Sequence, residues 1–359
     1  MNHNARTLVG MTANPGCGRR TLLDACGADK DAIATQAGFA WPFGQSPFAI
    51  SRGKSFEASI TEHGGAKLLT LLRDLLDLPL PEVAYKPVDE VGGNAQRELR
   101  YQQTCKLLLE AARGGDWPGT LFDHPMLRLT VGGVQVYLEP DVIAFKVKDL
   151  FYVVEIKSFP VIDRQADPDQ VAAAIRQASV YVIALREMLA AHGLDPAMVA
   201  SSVILVTPKG FSNSPVATLT DARKQIAMLV RQLRRADNVS DLLNEVPDDT
   251  TFDLRPNELG VATRAAADLV NHLLRIEARY RPACTQHCEM AALCRDEAVR
   301  GDSLDLYGTG VSDVFNGVDS ASTARALAAG TRLPSLDQQD VARTLRRAQR
   351  LLNELGGVA

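Results

Sequence analysis

Residues 137–159, YLEPDVIAFKVKDLFYVVEIKSF, are the most constraining stretch of the chain: two apolar runs joined by the polar turn 146–149, with Asp141, Glu155 and Lys157 inside them. Val153 and Val154 precede Glu155 and Ile156 follows it. That pattern belongs to a central strand covered on both faces, not to the alternation of a half-exposed one. A carboxylate there is costly unless it is paired, protonated or bound to a cation, so its presence points to a site. If the turn is centred near Lys148, Asp141 stands opposite Glu155 in an antiparallel pair, and opposite residues project from the same face. Lys157, two residues further on, shares that face. Two carboxylates and an ammonium would then converge: oxygen ligands for a hard divalent cation, beside a cation able to hold an attacking water or stabilise charge at phosphorus. A slip of one residue would part Asp141 from Glu155, so the chemistry depends on the register.

The rest of the chain frames this hairpin. Residues 1–118 read as a mainly helical segment, with apolar positions at helical spacing around Phe56, Ile60, Leu68, Leu69 and Leu72, a loop at 88–96, and a helix from Arg97 that ends at Gly114. A connection at 115–119 leads to a first strand near Leu127 to Val131. After the hairpin, Pro168 and Gly193 bracket one long helix, and SSVILVTPKGF, 201–211, reads as a buried strand. The order strand, strand, helix, strand predicts an α/β core over 119–212 with a mixed central sheet flanked by helices. Residues 213–298 read as a helical segment and 299–359 as a small helical appendage; two amphipathic helices in these parts, 221–237 and 337–355, each carry an arginine-rich face.

Within this order the motifs resemble those of the PD-(D/E)xK nucleases. Pro140-Asp141 followed by Glu155-Ile156-Lys157 is similar to the family signature, and Gln177 and Tyr181, four residues apart on one helix face, resemble the QxxxY motif of the RecB-like branch. SRGKSFEASI, 51–60, resembles that branch's first motif, with Glu57 at the position of its histidine. The resemblance implies a restriction-endonuclease-like core and a deoxyribonuclease, exo- or endonucleolytic, dependent on Mg2+ or Mn2+. It gives Asp141, Glu155, the Ile156 carbonyl and Glu57 as metal ligands, Lys157 as the residue that positions water, and Gln177 and Tyr181 as supports of the lysine or the nucleic-acid backbone. A carboxylate in place of histidine binds the same hard cation, so the change bears on metal preference.

Six cysteines bear on compartment and cofactor. No run of about 18 apolar residues occurs and the N-terminal sequence lacks the apolar core of a signal peptide, so a soluble, cytoplasmic protein without membrane partners is expected. In reducing surroundings clustered thiols read as metal ligands. Cys284, Cys288 and Cys294 lie within eleven residues, and a closed site needs a fourth ligand, for which Cys17 is the candidate. Cys26 could take the place of Cys17, though its helical context predicts a buried side chain, and Cys105 is expected to be a core residue. One cysteine before the nuclease motifs and three after them resembles the iron–sulfur RecB-like nucleases, including the AddB nuclease domain and the CRISPR-adaptation exonucleases, where a 4Fe-4S cluster clasps the two chain segments. Structural Zn2+, with His287 as a competing ligand, is the alternative. The resemblance implies DNA, single-stranded or with free ends, as partner. It also implies a role in repair, CRISPR-like adaptation or phage defence. A net charge of −4 shows no global basic field, so DNA contact would come from local patches. No phosphate-binding GxxxxGK[ST] occurs, so any unwinding would come from a helicase or other defence-system partner. Two other readings of the same residues are a nucleic-acid-binding module without turnover and a zinc-clasped scaffold.

Overall fold

A computed structural model describes residues 8, 14, 16–40, 47–76, 85–88, 96–114, 121–131, 134–147, 150–162, 165–210, 212–236, 244, 246–281, 284–285, 287–302, 304–307, 311, 314–315 and 317–356. In chain order the first elements are α1 (Gly18–Ala25), α2 (Lys30–Gln36), α3 (Pro47–Leu76), β1 (Tyr85–Pro87) and α4 (Arg97–Ala112). Strands β2 (Leu121–Asp123), β3 (Leu127–Val131), β4 (Val134–Leu138), β5 (Val142–Val147) and β6 (Leu150–Ile156) follow, then α5 (Pro168–Ala191). The chain continues through β7 (Ser202–Pro208), β8 (Pro215–Asp221) and α6 (Arg223–Ala236) to α7 (Ala266–Leu274), α8 (Ala291–Gly301), α9 (Ala321–Ala329) and α10 (Gln339–Gly356). It forms two compact units, one of residues 1–13 and 45–240, the other of residues 14–44 and 241–359. The second is therefore assembled from two pieces of chain that flank the bulk of the first.

The first unit is an α/β layer structure around a six-stranded mixed sheet in the order β1-β2-β5-β6-β7-β8. Strand β6 lies between antiparallel β5 and parallel β7, and α5 makes the crossover between the parallel pair. Successive residues of the central strands point to opposite layers. Val142, Ala144, Tyr152, Val154, Ile204 and Val206 pack with Phe56, Ile60, Leu68 and Leu72 of α3. Ile143, Phe151, Val153, Val203 and Leu205 pack with α5, α4 and the β3–β4 pair. Each fully buried aliphatic side chain contributes about 1.5–3 kcal/mol relative to exposure, so the two layers fix the register of the whole sheet. Helix α5 has Asp167 as N-cap, its side chain accepting from the Asp169 and Gln170 N–H groups, Pro168 in the first turn, and Gly193 at φ 74° just beyond its end.

Several readings change. Residues 137–159 hold parts of three strands rather than two: β4 ends at Leu138, and Pro140, which has no N–H for a ladder, separates it from β5. Leu127 to Val131 pairs with β4 in a separate two-stranded sheet instead of joining the main one. Segment 213–298 is not wholly helical, since β8 adds an edge strand along the full length of β7. Segment 1–118 contributes β1, parallel to β2. Helix α3 is interrupted where His63, Gly64 and Gly65 all take positive φ, a conformation the two glycines adopt without a Cβ penalty. The loop read at 88–96 falls, apart from Val88 and Gln96, outside the described residues, as do the connection at 115–119 and turn residues Lys148 and Asp149.

The second unit is helical. Leu23, Ile33, Leu269, Leu273, Met290 and Leu293 form one core with Cys284, Cys288 and Cys294, and α9 packs on α10 around Leu327 and Ala342. Among the described residues no helix is long and apolar enough to cross a membrane.

Candidate active site and thiol cluster

The register of β5 on β6 runs Val142↔Val154, Ile143↔Val153 and Ala144↔Tyr152, then shifts at an irregularity before Val147↔Leu150. Continued by one residue it sets Asp141 across from Glu155, and the Asp141 carboxylate accepts the Ile156 N–H at 2.6 Å. By strand alternation Asp141, Glu155 and Lys157 share the face that carries Ile143 and Val153, the face covered by α5. Glu155 is fully buried, and Lys157 Nζ stands 2.5 Å from its Oε1 as an ion pair. Apart from Lys157, neither Glu155 oxygen has a hydrogen-bond partner among the described residues. Two carboxylates and one ammonium therefore meet at one end of the sheet, Glu155 fully buried and Asp141 and Lys157 partly so.

The protonation equilibria follow from that crowding. Burial, then the Glu155 charge, lift the Asp141 pKa well above the ordinary carboxylate value, against the pull of Lys157. Burial raises Glu155 too, again opposed by Lys157. Burial acts to lower Lys157, yet the Glu155 and Asp141 charges outweigh it and raise its pKa, so the ammonium stays charged at neutral pH. Strongly perturbed titrations of this kind concentrate at functional sites, where the fold accepts their cost.

Gln177 and Tyr181 lie on α5, where the Gln177 amide donates to the Tyr181 hydroxyl at 3.0 Å. Tyr181 is buried in the same layer, and burial together with the Glu155 and Asp141 charges pushes its phenol upward. Glu57 belongs to α3, whose neighbouring residues Phe56 and Ile60 pack on the opposite face of the sheet. Its charge nevertheless acts on Asp141, Glu155 and Lys157. It reaches that end of the sheet through a residue the sequence reading passed over: His124 Nε2 lies 3.1 Å from Glu57 Oε1, and His124 Nδ1 lies 3.0 Å from Asp123 Oδ1. The hydrogen bond to Asp123, then that to Glu57, raise the imidazole pKa to about 11 against burial. The available signal was the short run Phe122-Asp123-His124-Pro125, an acid and a histidine where a strand ends against proline.

In the second unit Cys17, Cys284, Cys288 and Cys294 are buried and free. Cys17 acts electrostatically on Cys284 and Cys294, and those two act on Cys288. Burial pushes the Cys288 thiol up to about 12 and Cys294 to about 11. Buried Arg19 donates to Cys294 Sγ at 3.2 Å and to the Leu273 and Ile276 carbonyls, and Asn14 donates to Cys284 Sγ at 3.5 Å. His287 adjoins the group through its main chain, its N–H bonded to the Cys284 carbonyl and its carbonyl to Arg20. Cys26 is exposed, contrary to expectation, because it caps the end of α1 beyond the buried turns; Cys105 is a core residue.

Among the described residues no three Asp, Glu, His or Cys side chains are arranged to hold a metal ion. The donor chemistry suits one at both places. The paired carboxylates of Asp141 and buried Glu155 offer hard oxygen ligands, and the four buried sulfurs offer soft ones. In comparisons with known proteins the chain matches no protein-family model and no curated protein.

Proposed function

We propose that the chain is a metal-dependent DNA nuclease with a restriction-endonuclease-like core of the RecB-like PD-(D/E)xK branch. The observation that carries this reading is Glu155, fully buried at the end of a central strand, ion-paired to Lys157 and opposite Asp141. Burying such an ion pair costs several kcal/mol of desolvation, which a purely structural position would avoid with an apolar side chain. Asp141, Glu155, Glu57 and the Ile156 carbonyl would hold Mg2+ or Mn2+. When bound, such a cation supplies Lewis acidity and neutralises charge at the phosphodiester. Lys157 donates hydrogen bonds from its ammonium to water and to a non-bridging phosphate oxygen. Gln177 and Tyr181, hydrogen-bonded to each other at 3.0 Å, would help hold Lys157 or the nucleic-acid backbone. Cys17, Cys284, Cys288 and Cys294 would hold a 4Fe-4S cluster, whose part is to secure the two chain pieces of the second unit.

The test is incubation of the purified chain with DNA of defined single- and double-stranded ends. Magnesium or manganese is expected to permit cleavage and a chelator to stop it; intact DNA under all metal conditions overturns the reading.

DNA contact has a local candidate. In the second unit Arg325 of α9 and Arg343, Arg346 and Arg350 of α10 line a groove of about 1010 Å³, with Gln349 and Asn353. Arg343 also pairs with Asp340 at 3.1 Å, and Arg346 Nε donates to the Leu327 carbonyl at 3.1 Å. Each phosphate contact on a single strand contributes about 0.7 to the slope of log Kobs against log salt. The double variant Arg343→Gln, Arg350→Gln is therefore expected to flatten that slope by about 1.4. An unchanged slope in fluorescence-anisotropy titrations would remove the groove from the DNA path.

A further inference from the structure

His124 is bound at every polar group it has. Its N–H donates to the Asp141 carbonyl at 2.9 Å and its own carbonyl accepts from Arg100 Nη2 at 3.2 Å. Arg100 is buried and held by Glu139 at 2.7 Å. The two ring nitrogens face Asp123 and Glu57. Its backbone sits at φ 47°, which costs a non-glycine residue about 1–2 kcal/mol and persists where the surroundings over-determine it. One residue thus ties two others together, Asp141 through the main chain and Glu57 through the side chain.

That geometry has a purpose if the carboxylates form a metal site. Glu57 comes from the helix on the far side of the sheet, carries a flexible side chain, and is repelled by Asp141 and Glu155. A donor anchored on Asp141 itself is what would keep it at the site. We propose that His124 is a positioning residue that holds the Glu57 carboxylate in place for the divalent cation; the proposal rests on the reading of Glu57, Asp141 and Glu155 as ligands of that cation. Asp123, on the other ring nitrogen, fixes the plane of the imidazole, as partners of metal-site residues commonly do.

Two near-isosteric substitutions separate this role from a merely structural one. The amide of His124→Gln reaches where Nε2 was and can still donate to Glu57. That of His124→Asn reaches only the Nδ1 position and keeps Asp123, and asparagine tolerates a positive φ. Mn2+ is titrated into the full chain without DNA, followed by calorimetry and by the electron paramagnetic resonance of free Mn2+, with thermal melts as the folding control. His124→Asn and Glu57→Ala are each expected to weaken Mn2+ binding by about 10–100-fold. The double variant should be no weaker than Glu57→Ala alone, because both remove one interaction. His124→Gln should keep most of the affinity. Wild-type affinity in His124→Asn, or losses that add in the double variant, would overturn the proposal. Wild-type protein that binds no Mn2+ overturns the metal reading and this role together. Protein that binds Mn2+ as expected but leaves DNA intact overturns the nuclease reading and leaves the role of His124 standing.

Discussion

Asp141→Asn and Lys157→Ala are each expected to lower the cleavage rate by about 10³-fold or more while DNA affinity stays within a few-fold of wild type. Asparagine keeps an acceptor for the Ile156 N–H that Asp141 binds at 2.6 Å, so the β5–β6 connection survives and only the charge is lost. The fold tolerates that loss, since burial and the Glu155 charge already favour the neutral form of Asp141. Lys157→Ala is harsher. It leaves Glu155 fully buried without its ion partner, and breaking such a pair costs about 3–5 kcal/mol when the remaining group must stay charged. Glu155 has an upward-shifted pKa and can take a proton instead, which limits the damage. Single-turnover cleavage with labelled DNA, read beside anisotropy and thermal melts, separates chemistry from folding. Cleavage within a few-fold of wild type in either folded variant would remove the assigned residues from the reaction.

The second large effect concerns the thiols. Cys17→Ala is expected to lose iron, acid-labile sulfide and visible absorbance together, and to lower the unfolding temperature by about 10 °C or more. Cys17 lies on the piece 14–44 and the other three thiols on the piece 241–359 of one compact unit, so a shared centre closes a loop that spans most of the chain. The unfolded chain cannot present all four sulfurs together, and binding energy therefore appears as folding energy. Burial holds Cys288 and Cys294 as neutral thiols in the metal-free protein, so uptake must release protons and weaken as pH falls. Exposed Cys26 and core Cys105 serve as controls whose alanine variants keep the colour. Stoichiometric zinc without iron after anaerobic purification would replace the cluster by a zinc site, and full iron retention by Cys17→Ala would exclude Cys17 as a ligand.

Much of the centre of the first unit was legible in the sequence because its signals are local and dense. The apolar run through β6 admits one environment, covered on both faces, whereas the register of β5 on β6, with its irregularity between Ala144 and Val147, was decided by the fold. Pro168 and Gly193 marked α5 by backbone chemistry alone. Other elements carried too little signal of their own. Strands β1 and β2 have three residues each, too few to show a period. The mixed polarity of β8 is that of an edge strand, whose existence depends on the seven-pair register offered by β7.

The same division runs through the candidate site. The sequence by itself determined which chemical groups lie on β5, β6 and α5, because strand alternation and helix spacing assign their faces without reference to anything distant. Only the tertiary structure decided that Glu57 joins them. Its helix lies on the other layer, and the link is His124, sixty-seven positions away in the chain and turned by a positive φ that no composition or period encodes. Contacts of that kind are made where elements from distant parts of the chain end together, and folding selects them by packing energy rather than by local propensity.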